Sequence, residues 1–316
     1  MEVRVLSTAP ISISSGIDTA FFFLIRRNFH AAFALVRLFV HNSSLEFETL
    51  MKLIRYEDHS GKIQYAAEQP GGSHLRIEGD PLARHTVSRE PAVVRKILAP
   101  VTPIMFWCVG QNYRRHADEV GMSSGDFAVL FTKGVNSLQH PGDPIRLPQH
   151  ARSDEVDYEA ELVVIIGKEC RDVSRERALD YVAGYTCGND VSARDWQLKK
   201  GGSQWCRGKS FDTFAPLGPC LVTPDDIPNP SGLRIQTTVN GRILQDAKTS
   251  DMIRDVPTLI EFLSQNTTLL PGTAIFTGTP HGVGMAQNPP VWLKDSDEVS
   301  VTIEKIGTLT NPVHSR

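Results

Sequence analysis

The sequence predicts an α+β fold that is mainly β, with a small β domain ahead of a larger one. Three observations carry this. The 316 residues include 24 Gly and 20 Pro, a density of breakers that fits many turns between short elements. The apolar segments are mostly short and β-branched or alternate with period two, as strands do. Asn240-Gly241 separates two such runs, and Asn-Gly suits the type I′ turn of a hairpin.

Composition narrows the function. With 41% apolar and 22% charged residues, the chain is a folded protein with a sizeable core. A net charge of −3 gives no electrostatic reason to expect nucleic acid or an anionic membrane as partner. The five cysteines are odd in number and form no C-x-x-C pair. This favours free structural thiols in a reducing compartment over a disulfide framework or a zinc site.

Residues 1–50 differ from the rest. Ala20 to Val40 is apolar but interrupted by Arg26, Arg27 and Arg37, whereas a membrane span needs ~20 residues with few or no charges. Arg26, His30 and Arg37 share one helical face, as in an amphipathic targeting segment. Glu2 and Asp18 argue against that, and Met51-Lys52-Leu53-Ile54 reads like a natural start. Two readings stand: a targeting segment, or an extension that folding does not need.

From residue 51 the elements follow in order. Leu53–Tyr56 and Lys62–Ala66 flank a polar turn and predict a hairpin. Gln69–Ser73 is a loop, and Leu98–Pro103 links residues 51–100 to the larger domain, 101–316. Ile104–Gly110 is a buried strand, followed by a turn and a short helix to Val120. Gly121–Gly125 is small and polar, as a mobile segment would be. Asp157–Gly167 is a strand with an acidic start, Arg177–Tyr185 has helical spacing, and Asp190 precedes a helix that reaches Gln197. Gly208–Pro219 is loop-like. Leu233–Val239 and Arg242–Gln245 form the Asn-Gly hairpin, and Val256–Gln265 is a helix. Ala274–Phe276 is a strand entering a glycine-rich loop that lacks the Walker lysine and the G-x-G-x-x-G spacing. Val299–Glu304 is the final strand.

Two clusters suggest chemistry. On a strand, residues two apart share a face, so Glu159 and Glu161 project side by side. Adjacent carboxylates against an apolar run need a compensating positive charge, and hard divalent cations take oxygen ligands of this kind. An edge strand with its acidic end in water would need no metal. His116 and Glu119 are helical neighbours, and a carboxylate beside an imidazole prepares a general base; an exposed ion pair is the plain alternative. Asp190 reads as an N-cap and Lys209 as a solvated lysine unless other residues recruit them.

Five segments in one order supply that context. They are Gly110-Gln111-Asn112-Tyr113 with His116 and Glu119, Asp157-Tyr158-Glu159-Ala160-Glu161, Asp190 to Gln197, Gly208-Lys209-Ser210-Phe211-Asp212-Thr213-Phe214, and Thr277-Gly278-Thr279-Pro280. From about Met51 onward the chain resembles the fumarylacetoacetate hydrolase superfamily, closest to its domain-containing protein 2 branch of oxaloacetate tautomerase type. The resemblance implies a mixed β-sandwich roll, a homodimer, and a mitochondrial or cytoplasmic enzyme. It implies Mg²⁺ (or Mn²⁺) on Glu159, Glu161 and Asp190, with His116, Glu119 and Lys209 as catalytic residues. Tyr113, Arg194, Gln197 and Thr279 would contact a small dicarboxylic 2-oxo acid. Fumarylacetoacetase itself has a further metal-ligand Asp seven residues before its catalytic His. Here that position is Val109, which argues for the broader branch. The shared chemistry is an enolate stabilised by the metal, so three outcomes follow: enol–keto tautomerisation of oxaloacetate, C–C hydrolysis of acylpyruvates or decarboxylation of oxaloacetate, or a catalytically silent metal-binding homologue.

Overall fold

A computed structural model describes residues 51–121, 125–202 and 204–315. Residues 1–50, with their Arg-bearing apolar stretch, and Met122, Ser123 and Ser124 of the small polar segment lie outside the described residues. The N-terminal hairpin forms as expected from β1 (Lys52–Glu57) and β2 (Ile63–Glu68). Asp58 closes its turn by accepting the Ser60 and Lys62 N–H groups. Three strands not read in the sequence follow: β3 (His74–Gly79), β4 (His85–Pro91) and β5 (Lys96–Leu98). Next come β6 (Met105–Gly110), helix α1 (Arg114–Glu119) and β7 (Val129–Lys133). The short strands β8 (Leu138–Gln139), β9 (Ile145–Arg146) and β10 (Val156–Asp157) lead into β11 (Ala160–Ile166). After β12 (Val182–Asn189) and β13 (Ser192–Ala193) come helix α2 (Cys206–Lys209) and β14 (Ala215–Val222). The chain closes with β15 (Arg234–Val239), β16 (Arg242–Lys248), helix α3 (Val256–Ser264), β17 (Thr273–Phe276), β18 (Glu298–Ile303) and β19 (Gly307–His314).

Most of these strands join one sheet, in the order β4-β3-β2-β1-β14-β12-β11-β17-β6-β7, with β5 on β1 and β8 on β14. A second sheet runs β16-β15-β18-β19-β9, and β10 pairs with β13. Pairing is mostly antiparallel, but β17/β6, β14/β8 and β19/β9 are parallel, so the sheets are mixed. The predicted mainly-β architecture is the one observed. Asn240 and Gly241 both take positive φ, 51° and 77°, as their type I′ turn requires.

β11 lies between β12 and β17, well inside the large sheet. Leu162, Val164 and Ile166 share a core with Ile235 and Ile303 of the second sheet. Val163 and Ile165 pack on the opposite side with Phe106, Cys108 and Phe276. A strand buried on both faces reads as a continuous apolar run, which is why this stretch shows no alternation.

Three expectations are corrected. Arg177–Tyr185 is not one helix: a 3-10 stretch ends at Tyr181 and β12 starts at Val182, because pairing with β11 overrides local spacing. Gly208–Pro219 is not an open loop. Lys209 ends α2, and Ala215–Pro219 belong to β14, which pairs with both β1 and β12. Val299–Glu304 is not the last strand, since β19 follows; its Pro312 argues against a strand in sequence. The helix expected from Val256 does form, capped by Asp255, which accepts the Thr258 N–H. Among the described residues no helix is long and apolar enough to cross a membrane, and all five cysteines are free.

Ile165, fully buried near the end of β11, gives a direct test of this core. Ile165→Ala should cost about 2–5 kcal/mol in urea unfolding. A loss below about 0.5 kcal/mol, as at ordinary surface sites, would contradict its placement.

Candidate active site

Strand register assembles the acidic cluster. β11 pairs antiparallel with β12, matching Ala160 to Asn189 and Glu161 to Gly188. Asp190, one residue beyond β12, therefore lies beside Glu159, and its N–H donates to the Glu159 carbonyl. One oxygen from each of Glu159, Glu161 and Asp190 lies within 4.8 Å of the others. The following helical stretch starts at Asp195, so Asp190 is not its N-cap. β11 is no edge strand either, and all three carboxylates are buried.

Three buried cations stand around them. Lys209 Nζ is 2.8 Å from Glu159 Oε2 and 2.8 Å from Asp190 Oδ2. Lys133 Nζ is 2.6 Å from Asp190 Oδ1. Arg194 bridges Glu159 (2.7 Å) and a fourth buried carboxylate, Asp157 (2.8 Å). Burial disfavours the ionised Glu159, but Lys209 and Arg194 prevail and hold it at about 2. Burial likewise opposes the charges of Lys209 and Arg194, and their carboxylate partners raise both above their ordinary values.

Glu161 is the group without a cation of its own. It accepts the Gly278 N–H at 2.6 Å, while burial and then the charges of Asp190 and Glu159 push its carboxyl well above the usual range. With all four buried carboxylates ionised, they exceed the three buried cations by one negative charge. Clustered hard oxygens with a charge deficit fit a divalent cation such as Mg²⁺ or Mn²⁺.

The glycine-rich loop after β17, which carries no nucleotide signature, holds the protein's own carboxylates. Gly278 donates to Glu161, Gly282 to Glu119, and Gly284 and Met285 to Asp157. Gly278 and Gly282 have φ of +98° and +96°, where a side chain is strained. A Cβ on Gly282 would stand 2.2 Å from the Leu244 carbonyl oxygen.

A cleft partly open to solvent brings together seven of the predicted residues: His116, Glu159, Glu161, Arg194, Gln197, Lys209 and Thr279. His116 Nδ1 lies 3.1 Å from Glu119 Oε2; an ionised carboxylate only accepts, so Nδ1–H donates and Nε2 stays free. Arg194 Nη1 donates to Gln197, whereas its buried Nη2 has no hydrogen-bond partner among the described residues. Thr279 Oγ1 accepts from Gln245 Nε2, which leaves the hydroxyl proton to donate elsewhere. Val109 presents an apolar wall to the cleft.

Tyr113 departs from the expected pattern. It is fully buried, forms an isolated bridge with Met252, and packs in the core instead of lining the cleft. Sequence reasoning also missed Lys133 and the role of Asp157. Two signals were available. Period two puts Lys133 on the buried face of Phe131, and Asp157 opens the Asp157, Glu159, Glu161 alternation.

Comparison with known proteins identifies the chain's relatives. The family model for the fumarylacetoacetate (FAA) hydrolase C-terminal domain matches residues 105–314. The chain is 47% identical over 227 residues to the fumarylacetoacetate hydrolase domain-containing protein 2 homolog of Dictyostelium discoideum, covering 69% of this chain and 74% of that one. It is 45% identical to the mitochondrial oxaloacetate tautomerase fahd2 of Xenopus laevis, covering 73% and 71%. The solved fumarylacetoacetate hydrolase of the psychrophile Exiguobacterium antarcticum superposes with a TM-score of 0.75 at 38% identity, over 84% of this chain and 100% of that one.

The raised Glu161 carboxyl has a consequence for pH. In the metal-free protein its contribution is fully present below its unfolded value and lost as pH rises through the folded value. A divalent cation binds the ionised form, so thermal stabilisation by Mg²⁺ should grow from about pH 5 to about pH 8. Glu161→Gln should flatten that trend. A Mg²⁺-induced shift of equal size across the range in the wild type would contradict it.

Proposed function

The chain belongs to the fumarylacetoacetate hydrolase family, and on that footing we propose that it is an oxaloacetate enol–keto tautomerase using Mg²⁺ (or Mn²⁺). The observation that carries this is the meeting, in one cleft, of Glu159 and Glu161 of the three-carboxylate cluster with His116, whose Nδ1 is backed by Glu119. The relative in Xenopus laevis, named an oxaloacetate tautomerase, supports the choice of substrate. Its mitochondrial designation supports the same compartment here, which imaging of the tagged protein would check. The homodimer implied by the family resemblance is part of the proposal, to be checked by the mass in solution.

Glu159, Glu161 and Asp190 would hold the cation. When bound, it would draw electron density from the 2-oxo carbonyl and make the C3 proton acidic. The residues around it have separable tasks. Arg194, fixed by Asp157, Glu159 and Gln197, offers its free Nη2 to a substrate carboxylate. Thr279 donates its hydroxyl proton to a carboxylate oxygen. Lys209 stands where negative charge grows on the C2 oxygen, and a fixed ammonium there stabilises it. His116 Nε2 takes the C3 proton of the keto form, the C2 oxygen takes one back, and no atom is gained or lost. Glu119, pinned by the Gly282 N–H, keeps Nδ1 protonated and the imidazolium stable.

A second reading rests on the same pair. A carboxylate-backed imidazole also suits the activation of water, so hydrolysis of an acylpyruvate is the alternative outcome; decarboxylation of oxaloacetate is the third. Incubation of the pure protein with Mg²⁺ and enol-oxaloacetate should show faster loss of enol absorbance without release of pyruvate. Pyruvate release from oxaloacetate, or pyruvate plus acetate from acetylpyruvate at a higher rate, would replace the tautomerase assignment.

Two variant series test the assigned roles. Glu159→Ala, Glu161→Ala and Asp190→Ala should each lower turnover at least ~10²-fold; chelation should inactivate the wild type and Mg²⁺ restore it. Full activity after chelation would remove the metal from the reaction. Glu119→Gln should lower acylpyruvate hydrolysis by about 10²–10⁴ and oxaloacetate tautomerisation less, because the enol is itself acidic. Equal losses would show that the imidazole needs Glu119 as much for moving the C3 proton as for activating water.

A further inference from the structure

We infer that Lys133 sets the charge of the site, weakening cation binding and strengthening the binding of a doubly negative 2-oxo acid. The inference rests on the reading that Glu159, Glu161 and Asp190 hold a divalent cation, and it names the charge class of the substrate.

Lys133 is the last residue of β7, on the inward face with Phe131, and its side chain has no solvent exposure. Its Nζ meets Asp190 Oδ1 at 2.6 Å and the Val191 carbonyl at 3.1 Å. Lys209 holds the other oxygen of the same carboxylate, Oδ2. Lys209 also pairs with Glu159 and lines the cleft, whereas Lys133 does neither. Lys133 therefore has no route to the substrate, and one lysine with the β12 backbone already orients Asp190. What the second ammonium adds is charge.

The balance shows its effect. Asp157, Glu159, Glu161 and Asp190 oppose Lys133, Lys209 and Arg194, and all seven are buried. With its four carboxylates ionised, as a bound cation requires of its ligands, the cluster itself sums to one negative charge, and the dication turns the whole into one net positive charge. Without Lys133 the loaded cluster would sum to zero and would attract a dianion less strongly. Buried charges are weakly screened and act over several ångströms, so Lys133 need touch neither partner. The same ammonium repels the cation, and its two effects have opposite sign. A lysine that merely held Asp190 in place would shift both affinities downward when removed.

The test compares wild type, Lys133→Gln and Lys133→Arg. Gln removes the charge and keeps an amide able to donate to Asp190 and the Val191 carbonyl; Arg keeps the charge. Chelator-treated proteins are titrated calorimetrically with Mn²⁺, then with oxalate at saturating Mn²⁺, oxalate being a non-reacting dianion. Lys133→Gln should bind Mn²⁺ about tenfold more tightly and oxalate about tenfold more weakly, and Lys133→Arg should stay within about threefold of wild type on both. Unchanged or weaker Mn²⁺ binding by Lys133→Gln would overturn the inference, as would unchanged oxalate binding. If Lys133→Gln fails to fold, Lys133→Met carries the same two expectations. Should neither neutral variant fold, tighter Mn²⁺ binding by Lys133→Arg overturns the inference, and a change within threefold supports it. Absence of Mn²⁺ binding by the wild type would instead overturn the underlying metal reading.

Discussion

Seven ionisable side chains buried together are the constraint on which this structure depends. Each loses several kcal/mol of hydration on burial, and a buried ion pair rarely returns more than that. Such a cluster is poor as a source of stability. It survives because the surroundings leave it little freedom: β11 is packed on both faces, and the β11/β12 register places Glu159, Glu161 and Asp190 together. β7 delivers Lys133, α2 delivers Lys209, and the stretch after β13 delivers Arg194. The destabilisation concentrated here is that of a site assembled for chemistry.

The glycine-rich loop complements this scaffold from one side. Its N–H groups reach the carboxylate cluster through Glu161, the imidazole through Glu119, and the guanidinium through Asp157. Backbone donors suit the task because they are already fixed by the fold. The positive φ values at Gly278 and Gly282 aim those donors. A loop with no sequence signature for phosphate thus serves anions belonging to the protein itself.

Much of the site was legible in the sequence because it is written in local patterns. The Glu159 and Glu161 alternation, the three-residue spacing of His116 and Glu119, and the Asn240-Gly241 turn each follow from geometry within one element. The rest depends on which elements meet. Nothing local marks Lys133 as the partner of Asp190, 57 residues away. Arg177–Tyr185 kept a helical spacing although β11 pulls its second half into a sheet. Lys209 read as solvated because its loop-like neighbours gave no sign that β14 passes between β1 and β12. Tyr113 sits beside the right residues in sequence, yet its bridge to Met252 holds it in the core.

The account stands on the carboxylate cluster being a cation site, and a direct count tests it. Chelator-treated protein is titrated with Mn²⁺ while free Mn²⁺ is followed by its paramagnetic resonance signal. The account predicts one saturable site per chain, lost in a Glu161→Gln variant that keeps the wild-type circular dichroism. No saturable binding by the wild type, or equal affinity in the folded variant, would contradict it.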